Sequence, residues 1–216
     1  MTPTHFVAEL ATLRFADAFN PYSDTCAKCD ADGAPMIRAK MLTDTLEAAV
    51  AQPLDAIWIG RDLGYRGGRR TGLAFTDDVH LREHGRRWGI GVKRPTSGNA
   101  VPERAATVIW NLLDRIEAPI VLWNAFPLHP HKPGDPFTNR KHTSAEGRVG
   151  SDVLRDLISL LRPRRLIAIG NDAETAAIKL STGSEVIKVR HPSYGGQPEF
   201  IRGIQELYAV PPGTLI

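Results

Sequence analysis

Cysteine is nearly absent from this sequence: among 216 residues only Cys26 and Cys29 carry thiols. So few exclude a disulfide framework. Without a second pair, the Cys26-Ala27-Lys28-Cys29 spacing also lacks the further ligands that a structural zinc or an iron-sulfur cluster needs. No run of 18 uninterrupted apolar residues occurs, and residues 1–9 lack a basic region followed by an apolar core. Neither a membrane span nor a secretion signal is expected, and the expected location is the cytoplasm. Phosphate fingerprints are missing too. No Gly-Lys-Ser/Thr closes a glycine loop and no Gly-x-Gly-x-x-Gly spacing appears, which argues against a nucleotide-binding regulatory domain.

What is present is enough apolar sequence, 42% of the chain, to bury one large core, with no low-complexity linker to divide it, so residues 1–216 are expected to form a single domain. The net charge of +3 permits an anionic partner without demanding one. Its distribution says more, because Arg61, Arg66, Arg69, Arg70, Arg82, Arg86, Arg87, Lys93 and Arg94 crowd into one third of the sequence.

The pattern reads as alternating helices and strands. Apolar positions Phe6, Leu10, Leu13 and Phe15 predict a helix over about residues 4–18. A short helix, Leu46 to Val50, is stopped by Pro53, and Ala56-Ile57-Trp58-Ile59 reads as a buried parallel strand. Residues 77–88 and a stretch opened by Pro102 read as helices, and Pro119 to Asn124 as a second strand that runs into a proline-rich loop through Pro136. A helix from Ser151 to Leu161, a strand Leu166 to Gly170, a helix capped near Asn171, a strand Glu185 to Val189 and a helix Phe200 to Tyr208 complete the chain. Four strands separated by helices predict a three-layer αβα sandwich with a mostly parallel four-stranded central sheet. Such sheets place their sites at the carboxyl ends of the strands, and Asp62, Asn124 and His191 all fall there. Phe75 follows on the glycine- and arginine-rich loop, as a ring that could stack on a flat ligand.

Gly60-Arg61-Asp62-Leu63-Gly64 with Thr71-Gly72-Leu73-Ala74-Phe75-Thr76, then Leu122-Trp123-Asn124, then His191-Pro192-Ser193, resembles the uracil-DNA glycosylase superfamily in content, order and spacing over roughly residues 40–205. The resemblance implies that DNA is the partner and that a base is flipped out of it. It further implies that the bond between uracil and its sugar is hydrolysed, beginning base-excision repair, with uracil and abasic-site DNA as products. Asp62 would orient water and offset the sugar cation, and His191 would donate to the departing base. Asn124 would read the uracil edge and Phe75 would stack on it, with Gly60, Gly64 and Tyr65 completing the base site. Each role suits the chemistry, because breaking this bond leaves positive charge on the sugar and negative charge on the base.

Gly72 to Phe75, Asn139-Arg140 and the Cys26/Cys29 pair are similar to the iron-sulfur class of that superfamily. The two later cysteines of that class fall near Leu128 and Gly150 here, so no cofactor is expected. His129, His131 and His142 form a rival metal-site reading of the proline loop, short of carboxylate partners. Gly64 stands where the best-known class has a tyrosine against the thymine methyl, with Tyr65 as the candidate to compensate. Arg69, Arg70, Ser193, Tyr194 and Gln197 are candidates for DNA contact, Tyr194 or Gln197 as the wedge into the duplex. The expectation is thus a monofunctional uracil-DNA glycosylase, monomeric and without a membrane partner, acting on single- or double-stranded DNA. The alternative is a non-catalytic relative that holds damaged or abasic DNA.

Overall fold

A computed structural model describes residues 1–181, 183–193 and 195–211. Helix α1 (Pro3–Thr12) leads to the short strand β1 (Ala18–Phe19) and to α2 (Ala34–Val50). Strand β2 (Ala56–Asp62) is followed by one helical turn, α3 (Gly68–Thr71), then α4 (Leu81–Trp88) and α5 (Arg104–Leu113). Next come β3 (Ile120–Phe126), β4 (His129–Pro130), α6 (Ser144–Leu161), β5 (Arg165–Ile169), α7 (Asn171–Leu180), β6 (Glu185–Val189) and α8 (Gln197–Tyr208).

The main sheet has the order β3-β2-β5-β6, all parallel, while β1 and β4 form a separate antiparallel pair. Alternation along the strands sorts the core. Ile57, Ile59, Val121, Trp123, Leu166 and Ala168 point to the face covered by α1, α2, α6 and α7. Ala56, Trp58, Ile120, Ile167 and Ile169 point to the face covered by α5 and α8. Both faces are dry, which is why β2 reads as a continuous apolar run rather than an alternating one. The expected three-layer sandwich with a parallel four-stranded sheet is therefore the fold.

The chain leaves β2 to form β3 on one side and returns to place β5 on the other. Strand order thus reverses beside β2, and the crevice at the carboxyl ends there is where open α/β sheets hold ligands.

Element bounds depart from expectation where tertiary contacts or caps decide. Helix α2 starts twelve residues before Leu46, with Pro35 in its first turn. Thr45 lies inside it, its hydroxyl donating to Met41 O at 2.7 Å. Helix α6 begins at Ser144, because Thr143 and Glu146 form a reciprocal capping box. Strand β3 continues through Phe126, so Asn124 stands within the strand, beside Gly60 in the register.

Candidate active site

The crevice at the switch point is a cleft of about 430 Å³ lined by Asp62 and Gly64 from the end of β2, Phe75, Glu103, Asn124 and His191. Gly60 and Asn124 are paired in register on β2 and β3. A Cβ on Gly60 would lie 2.2 Å from the Phe75 ring and 2.4 Å from Asn124 Oδ1, so only glycine lets the ring and the amide converge over that backbone.

Phe75 has φ +50°, an unusual value for an aromatic residue. Trp110 Nε1 donates to its carbonyl at 3.1 Å, and Thr71 Oγ1 donates to Thr76 O at 2.5 Å, so the surroundings hold the turn in place. A strained backbone fixed this way aims the ring into the cleft. Asn124 is 2% exposed, yet its Oδ1 accepts no hydrogen bond among the described residues. A buried amide oxygen without a partner costs on the order of 1–3 kcal/mol, which a ligand donor would recover.

Asp62 is held from both sides. Its Oδ1 lies 2.5 Å from His142 Nδ1, and its Oδ2 accepts from Arg61 Nε at 2.7 Å. His142 reaches it from the residue before the α6 cap, and Gly147 makes room, since a Cβ there would meet His142 Cδ2 at 2.9 Å. His142 is thus a carboxylate partner, and His129 is engaged elsewhere.

His191 follows β6. Burial, together with the Arg61 and Arg190 charges, pushes its pKa below the ordinary histidine value, so it is neutral at pH 7. Its Nδ1 accepts from Ser193 N at 3.1 Å, which leaves the proton on Nε2 and makes that nitrogen a donor. Glu103 enters from the start of α5. Burial first, then the Asp77 charge, raises its carboxyl to about 7, with Arg66 opposing.

The structure corrects the DNA-contact reading of two arginines. Arg69 is 4% exposed and lies over the Phe19 ring at 3.8 Å, with Nη1 3.3 Å from His129 Nδ1. Arg70 is 8% exposed and donates to Asp78 at 2.7 Å. The turn of α3 carries both inward, away from any phosphate. Tyr65 does not line the cleft either: its N–H donates to Asn139 Oδ1 at 3.0 Å and its hydroxyl accepts from Arg66. Ser193 lies at the rim of the cleft, with Gln197 beyond it accepting from Arg104 at 3.4 Å. Tyr194 is outside the described residues. Solvent-facing cations at the rim include Arg61, Lys188 and Arg190.

The two cysteines are buried beside Phe19 and Phe137. Burial opposes ionisation of Cys26, but the Lys28 backbone, Cys29 and Arg69 outweigh it and lower its pKa. Burial and Cys26 push Cys29 up to about 12. Leu128 is fully buried, and a Cβ at Gly150 would lie 2.3 Å from Ala125 O, because α6 docks directly on the end of β3.

His142 and Glu103 were missed as site residues. The capping box at Thr143 and Glu146 was a legible signal that a helix starts just after His142. Nothing local marked Glu103, whose partners are Gly64 and Gly67, far away in sequence.

The family model of the uracil DNA glycosylase superfamily matches residues 51–200. No curated protein matches the chain. In shape the chain is similar to the crystal structure of wild-type Pedobacter heparinus SMUG2. The TM-score is 0.66 at 15% identity, covering 97% of this chain and 98% of that one, a likeness of fold. With the match spanning more than half of its length, the chain belongs to the uracil DNA glycosylase superfamily.

Proposed function

We propose that the chain is a uracil-DNA glycosylase that hydrolyses the N-glycosidic bond of a flipped-out uracil. The observation that carries this is the buried Oδ1 of Asn124, without a hydrogen-bond partner among the described residues and converging with the Phe75 ring over Gly60, with Asp62 and His191 lining the same cleft. Uracil offers an N3–H donor beside the O4 acceptor, which one amide satisfies with its oxygen and its NH₂. Phe75 stacks on the ring.

As the bond from C1′ to N1 lengthens, its electron pair leaves with the base. The anion that forms is met by the Nε2–H of neutral His191. Asp62 faces the positive sugar, and the water it holds attacks C1′. That water's proton passes to solvent through the Asp62 carboxylate, leaving free uracil and an abasic site. His142 and Arg61 keep the carboxylate aimed. Lys188, the lysine lining the cleft, is paired with Glu174 at 2.8 Å and is not a free amine nucleophile, so no Schiff base forms and the strand is left intact.

The test is single-turnover incubation with a uracil-containing oligonucleotide, followed by alkali. Cleavage at the uracil alone is expected. Tight binding of abasic DNA without base release would instead favour the non-catalytic relative.

A further inference from the structure

Glu103 fills a hollow that the β2–α3 segment leaves open. A Cβ on Gly64 would lie 2.3 Å from its Oε1, and a Cβ on Gly67 would lie 2.1 Å from its Oε2, so the carboxyl occupies the volume that side chains at both positions would need. Phe75 and Asn124 make the same kind of approach to Gly60, four residues earlier. The stacking ring, the reading amide and the Glu103 carboxyl therefore all close on one short segment, with Asp62 between, and all line one cleft. The Tyr65 side chain is turned out of that space, toward Arg66.

We propose that Glu103 is a specificity-determining residue of the base site, whose carboxyl is the wall beside Gly64 that admits a ring edge bearing hydrogen and excludes one bearing methyl. The inference rests on the uracil reading above. A wall of this kind discriminates by volume, and one methyl group against a packed wall is worth about 10- to 200-fold in relative rate. Among the described residues the carboxyl has no salt partner of its own. Its charged neighbours are Asp77, which takes the Glu103 N–H and pairs with His80, and Arg66 on the β2–α3 segment.

The experiment compares single-turnover excision of uracil and thymine from otherwise identical single strands by the parent, Glu103→Ala, Glu103→Ser and Glu103→Gln. The two shortening variants open the wall by different chemistry, so one serves if the other does not fold, and thermal melting reports that. Either should raise the thymine-to-uracil rate ratio by about tenfold or more. Glu103→Gln, which keeps the volume, should leave the ratio within about threefold of the parent. If the parent releases uracil but the shortened variants leave the ratio unmoved, Glu103 is not the wall and the uracil reading survives. An equal rise in Glu103→Gln also overturns the wall, since charge and not volume would then discriminate. Absence of uracil release by the parent removes both.

Discussion

The segment from Gly60 to Thr71 has two halves, both carrying two glycines and at least one arginine, put to opposite use. In the second half, Arg69 and Arg70 turn inward and their charges are spent on aromatic faces, His129 and Asp78. In the first half, Gly60, Asp62 and Gly64 face the cleft, and the polar groups gathered there include the Asn124 amide oxygen, which has no partner among the described residues. Charges turned inward onto rings and partner side chains hold a fold, although Arg69 Nε has no hydrogen-bond partner among the described residues, whereas an unpartnered polar atom at a cleft marks where a ligand belongs.

The strongest way to break this contrast is to remove a scaffold charge. Arg70→Ala strands Asp78, which is fully buried as a side chain and still accepts from Thr96. Losing one member of a buried pair costs about 3–5 kcal/mol, to be read from urea unfolding. DNA affinity of the folded protein should be unchanged, and a specific loss of affinity at full stability would return Arg70 to the DNA surface. Buried histidines of the scaffold should set the acid limit. Burial first, then the Arg69 charge, lowers His129 to about 3, and burial lowers His84 likewise. Between pH 3 and 6.5 the unfolded chain binds more protons at these residues, so stability is fully present above 6.5 and falls as pH drops through that window. A flat stability profile from pH 7 to 4 would contradict it.

On the cleft side the expected losses are in rate. Asp62→Ala and His191→Ala should each slow single-turnover excision by about 10²–10³ while binding survives. Burial and the Arg61 and Arg190 charges lower the pKa of His191, so the acid fall in rate that it causes should lie below that of an ordinary histidine. A parental rate in either variant would show that residue idle. Asn124→Asp replaces the NH₂ donor by an acceptor, mismatching uracil at O4, and should cost about 1–3 kcal/mol of transition-state stabilisation. It should also gain a trace of cytosine release, because cytosine reverses both groups on that edge. Full uracil activity in Asn124→Asp would mean the amide does not read the base.

Regular periodicity made most of the fold legible. The β2 and β6 runs and the amphipathic stripe of α5 are local signals, and motif order placed Asp62, Asn124, Phe75 and His191 at one end of the sheet. What stayed hidden is set by pairings across the fold. Arg69 and Arg70 looked like a phosphate clamp because sequence shows charge but not direction, and one turn of helix reversed their meaning. Glu103 sits at the start of α5, and its role depends on two glycines nearly forty residues earlier.

The smallest expected effect separates the two kinds of arginine most cleanly. Arg190 is half-exposed at the cleft rim, with a loose contact to Glu199 at 3.9 Å as its salt partner among the described residues, so its guanidinium remains available to a phosphate. Each phosphate neutralised releases condensed counterions, giving a slope of about −0.9 in log affinity against log salt for duplex DNA, or about −0.7 for single strands. Arg190→Ala should therefore flatten the salt dependence by about one contact's worth and weaken all sequences alike, with unfolding stability unchanged because a surface pair of this kind contributes little. Arg70→Ala, measured under conditions where it stays folded, should keep the parental slope. Were the slopes to change in the opposite sense, flat for Arg70→Ala and parental for Arg190→Ala, the inward turn of α3 would be wrong and the DNA path would run over the second half of the segment instead of across the cleft.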